Sequence, residues 1–180
     1  MNDADDILAN STLLYSASEV EASLRSLARQ VTADLALRNP VVIAVMNGGA
    51  FTAVNLCRYF RFAYEFDYVH ATRYGNELRG GEIQWLVPPR TSLAGRTILL
   101  VDDILDRGTT LSALLEKLEE TRVAEVHTAV LVRKRLDEEV ERPNVEYWAL
   151  ETDDVYVFGC GMDYAGYWRG LPELYASNGA

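Results

Sequence analysis

The stretch Thr97-Ile98-Leu99-Leu100-Val101-Asp102-Asp103-Ile104-Leu105-Asp106-Arg107-Gly108-Thr109-Thr110-Leu111 runs from an apolar segment through two acids and a short glycine turn into a helix. Thr97 to Val101 reads as a buried strand, and the helix that follows is expected from about Thr109 to Glu120. The turn offers backbone N–H groups, the hydroxyls of Thr109 and Thr110 and the positive end of a helix dipole, a combination that suits a phosphate monoester. Arg107 adds a cation. Asp102 and Asp103 repel one another, and their place at the end of a strand makes sense if they receive hydroxyl donors from a sugar or a hydrated Mg²⁺. Read alone, the acid pattern fits equally well a strand that ends in solvated acids, with Asp106 capping the next helix.

Working outward, Ser18 and Glu21 read as a capping box ahead of Val20, Leu24, Leu27, Val31 and Leu35. Their spacing makes one apolar helical face and predicts a helix from about Glu19 to Arg38. Asn39 and Pro40 stop it, and the run Val41 to Val45 reads as a strand buried on both faces. Gly48-Gly49 breaks that strand before a helical pattern from Ala50 to Tyr59. Tyr64 to Ala71 and Ile83 to Val87 read as strands. The polar stretch between them, Tyr74-Gly75-Asn76-Glu77 with Gly80-Gly81, reads as a mobile loop. Val126 to Val132 is a further strand. This alternation argues for an α/β fold, a parallel sheet with helices on both faces and ligands at the carboxyl ends of its strands. Val145 to Leu150 and Val155 to Phe158 are expected as short strands of a small cap over that edge.

With 180 residues, 49% of them apolar, the chain can bury one full core, so residues 1–180 are expected to form a single domain. Its longest apolar runs fall far short of the roughly 20 residues that cross a bilayer. Asn2, Asp3, Asp5 and Asp6 open the chain with no basic flank, so no secretory signal is expected. Cys57 and Cys160 lack metal-ligand spacing and suit a reducing cytoplasm. A formal charge of -10 and a pI near 4.7 argue against charge-driven binding to nucleic acid or an anionic membrane. A phosphate ligand would have to be held locally.

The string Val101 to Leu111 resembles the 5-phosphoribosyl-1-diphosphate signature of type I phosphoribosyltransferases: apolar residues, two acids, two apolar residues, Asp, a small residue, Gly and Thr. The departure is Arg107, where Thr or Ser is usual. Val45-Met46-Asn47-Gly48-Gly49 is similar to the family's diphosphate loop, with Asn47 where Lys or Arg is common. By itself this is also an ordinary glycine turn. Leu131-Val132-Arg133-Lys134 ends a strand where the family places its purine-reading lysine, although taken alone Lys134 among Arg133 and Arg135 is more often a solvated basic cluster. Tyr156-Val157-Phe158-Gly159-Cys160-Gly161-Met162-Asp163-Tyr164, followed by Tyr167-Trp168-Arg169-Gly170-Leu171-Pro172, looks like the C-terminal base and metal segment of hypoxanthine-guanine phosphoribosyltransferases. That likeness extends from about Leu14 to Leu174.

The resemblance implies the type I phosphoribosyltransferase fold, a mainly parallel sheet flanked by helices, with a hood from residues about 1–20 and 143–180. It implies Mg²⁺-dependent transfer of phosphoribose to hypoxanthine or guanine. Asp102 and Asp103 would hold the ribose hydroxyls, and the turn from Asp106 through Arg107, Gly108 and Thr109 to Thr110 the 5′-phosphate. Amides of Met46, Asn47, Gly48 and Gly49, beside a cis Met46-Asn47 peptide, would face the diphosphate with Arg169. Lys134 would donate to O6 of the base, Tyr156 stack on it and the Val157 backbone meet its pyrimidine edge. Asp106 is the implied general base, and Asp163, with Asp102 and Asp103, the implied metal ligand. Tyr74, with Gly75, matches the start of a catalytic lid. The family implies a cytoplasmic homodimer or homotetramer. A regulatory nucleotide-binding protein of the same fold, without turnover, is the alternative. It has no need of Asp106, Lys134, Asp163 and Arg169 together.

Overall fold

The structure, a computed structural model, describes residues 3–73, 83–136 and 140–178. In chain order its elements are α1 (Asp3–Ala9), β1 (Thr12–Tyr15), α2 (Ala17–Leu35), β2 (Val41–Val45), α3 (Gly49–Cys57), β3 (Glu65–Arg73) and β4 (Ile83–Val87). They are followed by β5 (Thr97–Leu105), α4 (Thr109–Glu119), β6 (Glu125–Lys134), β7 (Tyr147–Thr152), β8 (Val157–Phe158) and β9 (Leu174–Ala176). Six strands form one sheet in the order β4-β3-β2-β5-β6-β7, parallel throughout except for the β3–β4 pair.

Alternation of side chains along each strand sends two apolar sets to opposite faces. Val41, Ile43 and Val45 of β2 pack with Ile98 and Leu100 of β5 against Leu111, Leu114 and Leu118 of α4. Val42 and Ala44 join Leu99 and Val101 against α2 and α3, through Leu27, Val31, Leu35, Ala53 and Leu56. The expected α/β architecture with helices on both faces is thus the one observed. Leu27, Leu35, Leu56, Leu99 and Leu114 are fully buried, and truncating any of them to Ala should cost about 2–5 kcal/mol.

The first long helix begins earlier than expected. Its capping box is Ser16 with Glu19: the Ser16 backbone N–H donates to Glu19 Oε2 at 2.8 Å, and the Glu19 N–H to Ser16 Oγ at 3.4 Å. Ser18 and Glu21 form an overlapping frame of the same pattern, and Glu21 instead accepts from Arg25 and from the Tyr59 hydroxyl. The helix also stops at Leu35, its last buried residue, because Leu37 is fully solvent-exposed and gives a further turn nothing to pack on. β5 continues past Val101 to Leu105, since β6 stays beside it through the pairs Asp102↔Val130, Ile104↔Val132 and Leu105↔Arg133. Asp106 does not cap α4. The N-cap is Gly108, at φ 74°, a left-handed conformation that costs glycine nothing.

The cap differs from expectation too. β7 pairs with β6 and is a strand of the large sheet, so Val145 to Leu150 are not in the cap. The small sheet has the order β1-β9-β8, with the two ends of the chain joined through Thr12↔Ala176 and Leu13↔Tyr175. Val155 and Tyr156 precede β8 and are exposed. A third core cluster ties this sheet to the carboxyl end of the large one: Val157, Cys160, Met162 and Leu174 meet Leu131, Val132 and Leu150, with Val20 and Leu24 of α2. No helix among the described residues is long and apolar enough to cross a membrane.

Candidate active site

β2, β5 and β6 are adjacent and parallel, so their carboxyl ends, at Val45, Leu105 and Lys134, open on one edge of the sheet. A cleft of about 490 Å³ lies there. Met46, Asn47 and Gly48 line one wall, Asp102 and Asp103 the floor, and the turn Asp106 to Thr110 the opposite side. Asp163 and Arg169 close it from the hood segment. A second cleft of about 230 Å³ is lined by Asp106, Lys134, Tyr156, Val157 and Met162. Asp103, Ile104, Asp106 and Asp163 belong to both.

The wall that carries Met46 is built by close approach. The Met46-Asn47 peptide is cis. A Cβ on Gly48 would lie 1.6 Å from Asp103 Oδ2, so any larger residue here would have to push the Asp103 carboxylate aside. Gly49 opens α3 against the backbone of Val101 and Asp102 and is not itself a lining residue. Across the cleft, α4 begins at Thr109, and the N–H groups of a first helical turn have no partner within the helix. Thr109 and Thr110 are both exposed toward solvent.

The acid pair is electrostatically uneasy. Burial holds Asp102 well above the ordinary carboxylate range, and the adjacent Asp103 charge pushes the same way. Asp103 is also raised, chiefly by burial, with hydrogen bonds from Asp102 and backbone groups and the Arg169 charge opposing. Asp102 Oδ1 accepts from the Asp103 N–H at 2.9 Å. Arg169 is held by an ion pair to Asp163 and donates to the Gly161 carbonyl at 2.7 Å. The other Asp163 oxygen accepts from the Gly166 N–H at 2.7 Å.

In the smaller cleft the Lys134 ammonium contacts Asp106 Oδ2 at 3.0 Å and Asp154 Oδ1 at 3.3 Å. The Tyr156 hydroxyl donates to the Asp163 carbonyl at 3.1 Å, and its ring meets Tyr164 edge-on with centroids 5.2 Å apart. Arg107, the residue that departs from the family signature, reaches Asp154 Oδ2 at 3.9 Å while lining the larger cleft. Tyr74 and the rest of the expected lid lie outside the described residues.

Two charged residues absent from the sequence reading take part. Arg142 donates from one nitrogen to the Asp106 carbonyl at 3.1 Å and the Lys134 carbonyl at 3.0 Å, locking the turn after β5 to the end of β6. Asp154 bridges Lys134 and Arg107. Neither had a local signal, since each looks like one more charge in a polar connection.

An acid pair beneath a glycine-lined loop, facing a helix N-terminus at the carboxyl edge of a parallel sheet, is the arrangement of a protein that handles a sugar phosphate. Residues 11–165 match the phosphoribosyl transferase domain, and the chain belongs to that family. It is 30% identical over 167 residues to the hypoxanthine-guanine phosphoribosyltransferase of Dictyostelium discoideum, covering 90% of this chain and 92% of that one. It is 28% identical over 162 residues to the hypoxanthine-guanine-xanthine phosphoribosyltransferase of Tritrichomonas foetus, covering 90% and 88%. A solved hypoxanthine-guanine phosphoribosyltransferase of Bacillus anthracis superposes with a TM-score of 0.83 at 25% identity, covering 92% of this chain and 97% of that one. Within the family, the chain falls in the hypoxanthine-guanine phosphoribosyltransferase group.

Proposed function

We propose that this chain is a purine-salvage enzyme that transfers the 5-phosphoribosyl group from 5-phosphoribosyl-1-diphosphate to N9 of hypoxanthine or guanine, releasing diphosphate. The observation that carries the reading is the meeting of the two clefts at Asp103, Ile104, Asp106 and Asp163. One side has the chemistry for a sugar phosphate and the other for a base.

Breaking the bond from ribose C1 to diphosphate leaves positive charge on the sugar and negative charge on the leaving group. Asp102 and Asp103 accept the ribose hydroxyls and orient the ring for attack from the opposite face. The turn from Asp106 to Thr110 receives the 5′-phosphate on its amides and hydroxyls, with the α4 dipole behind them. Amides of Met46 to Gly48 and the Arg169 guanidinium take the diphosphate. Lys134 donates to the exocyclic oxygen of the base, Tyr156 stacks on the ring, and the Val157 backbone meets its pyrimidine edge. Asp106 accepts the proton that the imidazole ring of the base gives up.

The donor set suits magnesium. Mg²⁺ takes oxygen ligands, keeps several waters, and is usually held by one or two carboxylates together with substrate phosphates. Among the described residues no three acids, histidines or cysteines are grouped to hold an ion unaided. Asp163 on one side of the cleft and the Asp102–Asp103 pair on the other would therefore each hold Mg²⁺ only together with substrate oxygens. When bound, the ion neutralises charge that builds on the diphosphate oxygens. We propose further that the chain acts as one domain, in the cytoplasm, as a homodimer or homotetramer, and light scattering on the purified chain measures that state.

The test incubates the chain with Mg²⁺, the diphosphate donor and each purine in turn. Hypoxanthine and guanine should yield nucleoside monophosphates. Adenine should react slower by about 10⁴ or more, because its 6-amino group presents donors to the Lys134 ammonium. Binding of nucleotide with no product from any base would identify a regulatory protein and overturn the reading.

A further inference from the structure

The Lys134 side chain is only 10% exposed, yet its ammonium faces two carboxylates, one of which, Asp106, has a separate task at the base. The contacts form a chain of alternating charge: Asp106 to Lys134 at 3.0 Å, Lys134 to Asp154 at 3.3 Å, and Asp154 to Arg107 at 3.9 Å. Asp106 is the more exposed of the two acids, 46% against 29% for Asp154. Its second oxygen is buried with no hydrogen-bond partner among the described residues, so half of the carboxylate is uncommitted. Asp154, in contrast, lies outside both clefts.

This asymmetry matters once the base is bound. When Asp106 takes the imidazole proton of the purine, it becomes neutral and ceases to balance the ammonium. A buried cation whose counter-charge has gone is strongly disfavoured. Asp154 supplies the charge that remains, because it touches Lys134 from a side that the substrate does not occupy. Without it, Lys134 would have, among the described residues, only Asp106 as an ion-pair partner, and the two would neutralise each other where the base needs one as donor and the other as acceptor.

We propose that Asp154 is a positioning residue for purine recognition: it holds Lys134 at the base cleft while Asp106 engages the purine. Arg107, a residue of the turn before α4, approaches the other Asp154 oxygen at 3.9 Å. The inference rests on the proposed transfer reaction and adds to it a residue that touches no substrate.

The experiment compares Asp154→Asn and Asp154→Glu with the natural chain, measuring kinetics for hypoxanthine and the diphosphate donor separately. In Asp154→Asn the KM for hypoxanthine should rise about ten- to a hundredfold, the range set by loss of one charged hydrogen bond. The KM for the donor should change by less than about twofold, which marks a loss confined to base binding. Asp154→Glu should recover most of the loss. A merely structural role would lower the melting temperature and disturb both KM values together, and that result, or an unchanged KM for hypoxanthine, overturns the proposal. Calorimetric binding of inosine monophosphate to both forms needs no turnover: weaker binding to Asp154→Asn supports the role, and equal affinity refutes it. Failure of the natural chain to make any nucleotide would instead strike the transfer reaction itself.

Discussion

The backbone of Gly161 lies directly against that of Gly48: a methyl group on Gly161 would come within 2.2 Å of the Gly48 carbonyl oxygen. Through this contact the hood segment carrying Asp163 and Arg169 seats on the loop after β2, and the larger cleft acquires its closing wall. Gly161 also has φ +105°, outside the range that side-chain-bearing residues adopt readily. Gly161→Ala should therefore cost about 1–3 kcal/mol from backbone strain, and more from the clash. We expect the KM for the diphosphate donor to rise more than that for the base, which steady-state kinetics on the folded variant would reveal.

Asp106→Asn should lower turnover by about 10² to 10⁴, the usual contribution of a general base. Asp154 still balances Lys134 in this variant, so the fold should survive, and the melting temperature should move little. An unchanged turnover number would remove Asp106 from the chemistry.

Asp67 provides the pH dependence of stability. Burial alone would raise its pKa, but N–H groups of Thr91, Tyr68 and Arg90 donate to its oxygens at 2.7–2.8 Å and hold it below the ordinary value. A carboxyl lowered in the folded state contributes stability that is present above its unfolded pKa, about 3.9, and lost as pH falls through the folded value. Asp67→Asn keeps one acceptor oxygen and turns an NH₂ toward N–H donors. Its melting temperature should fall by about 3 °C or more at pH 7, with the deficit narrowing below pH 4. An equal deficit at every pH in thermal melts would contradict this.

Both cysteines should resist thiol reagents while the chain is folded. Burial pushes Cys57 up to about 11 and Cys160 up to about 12, which leaves little thiolate near neutrality. The Cys160 thiol also donates to the Pro172 carbonyl at 3.3 Å. Titration with an aromatic disulfide at pH 8 should show slow, partial labelling, and addition of guanidinium should release both thiols at once. Rapid labelling of native protein would show that the hood core around Cys160 opens.

Much of the site could be read locally because its parts are local. The amides, hydroxyls and helix start of residues 106–110 are supplied by consecutive residues, and Gly48 and Gly49 mark a close approach whatever lies opposite. Which partners these pieces would meet was not legible. Asp154 has the same composition as its neighbour Asp153, yet one lies beside a nearly buried lysine and the other pairs with Arg135 at the surface.

The sequence by itself determined the alternation of strands and helices, the two apolar faces of β2, and the glycine turn that leads into α4, because periodicity and backbone sterics act over a few residues. Only the tertiary structure decided between the overlapping Ser-x-x-Glu frames at the start of α2, assigned β7 to the large sheet, and joined β1 to β9. It alone set Lys134 between Asp106 and Asp154. Those outcomes depend on contacts between residues far apart in the chain, where burial and charge pairing, not local preference, select the partner.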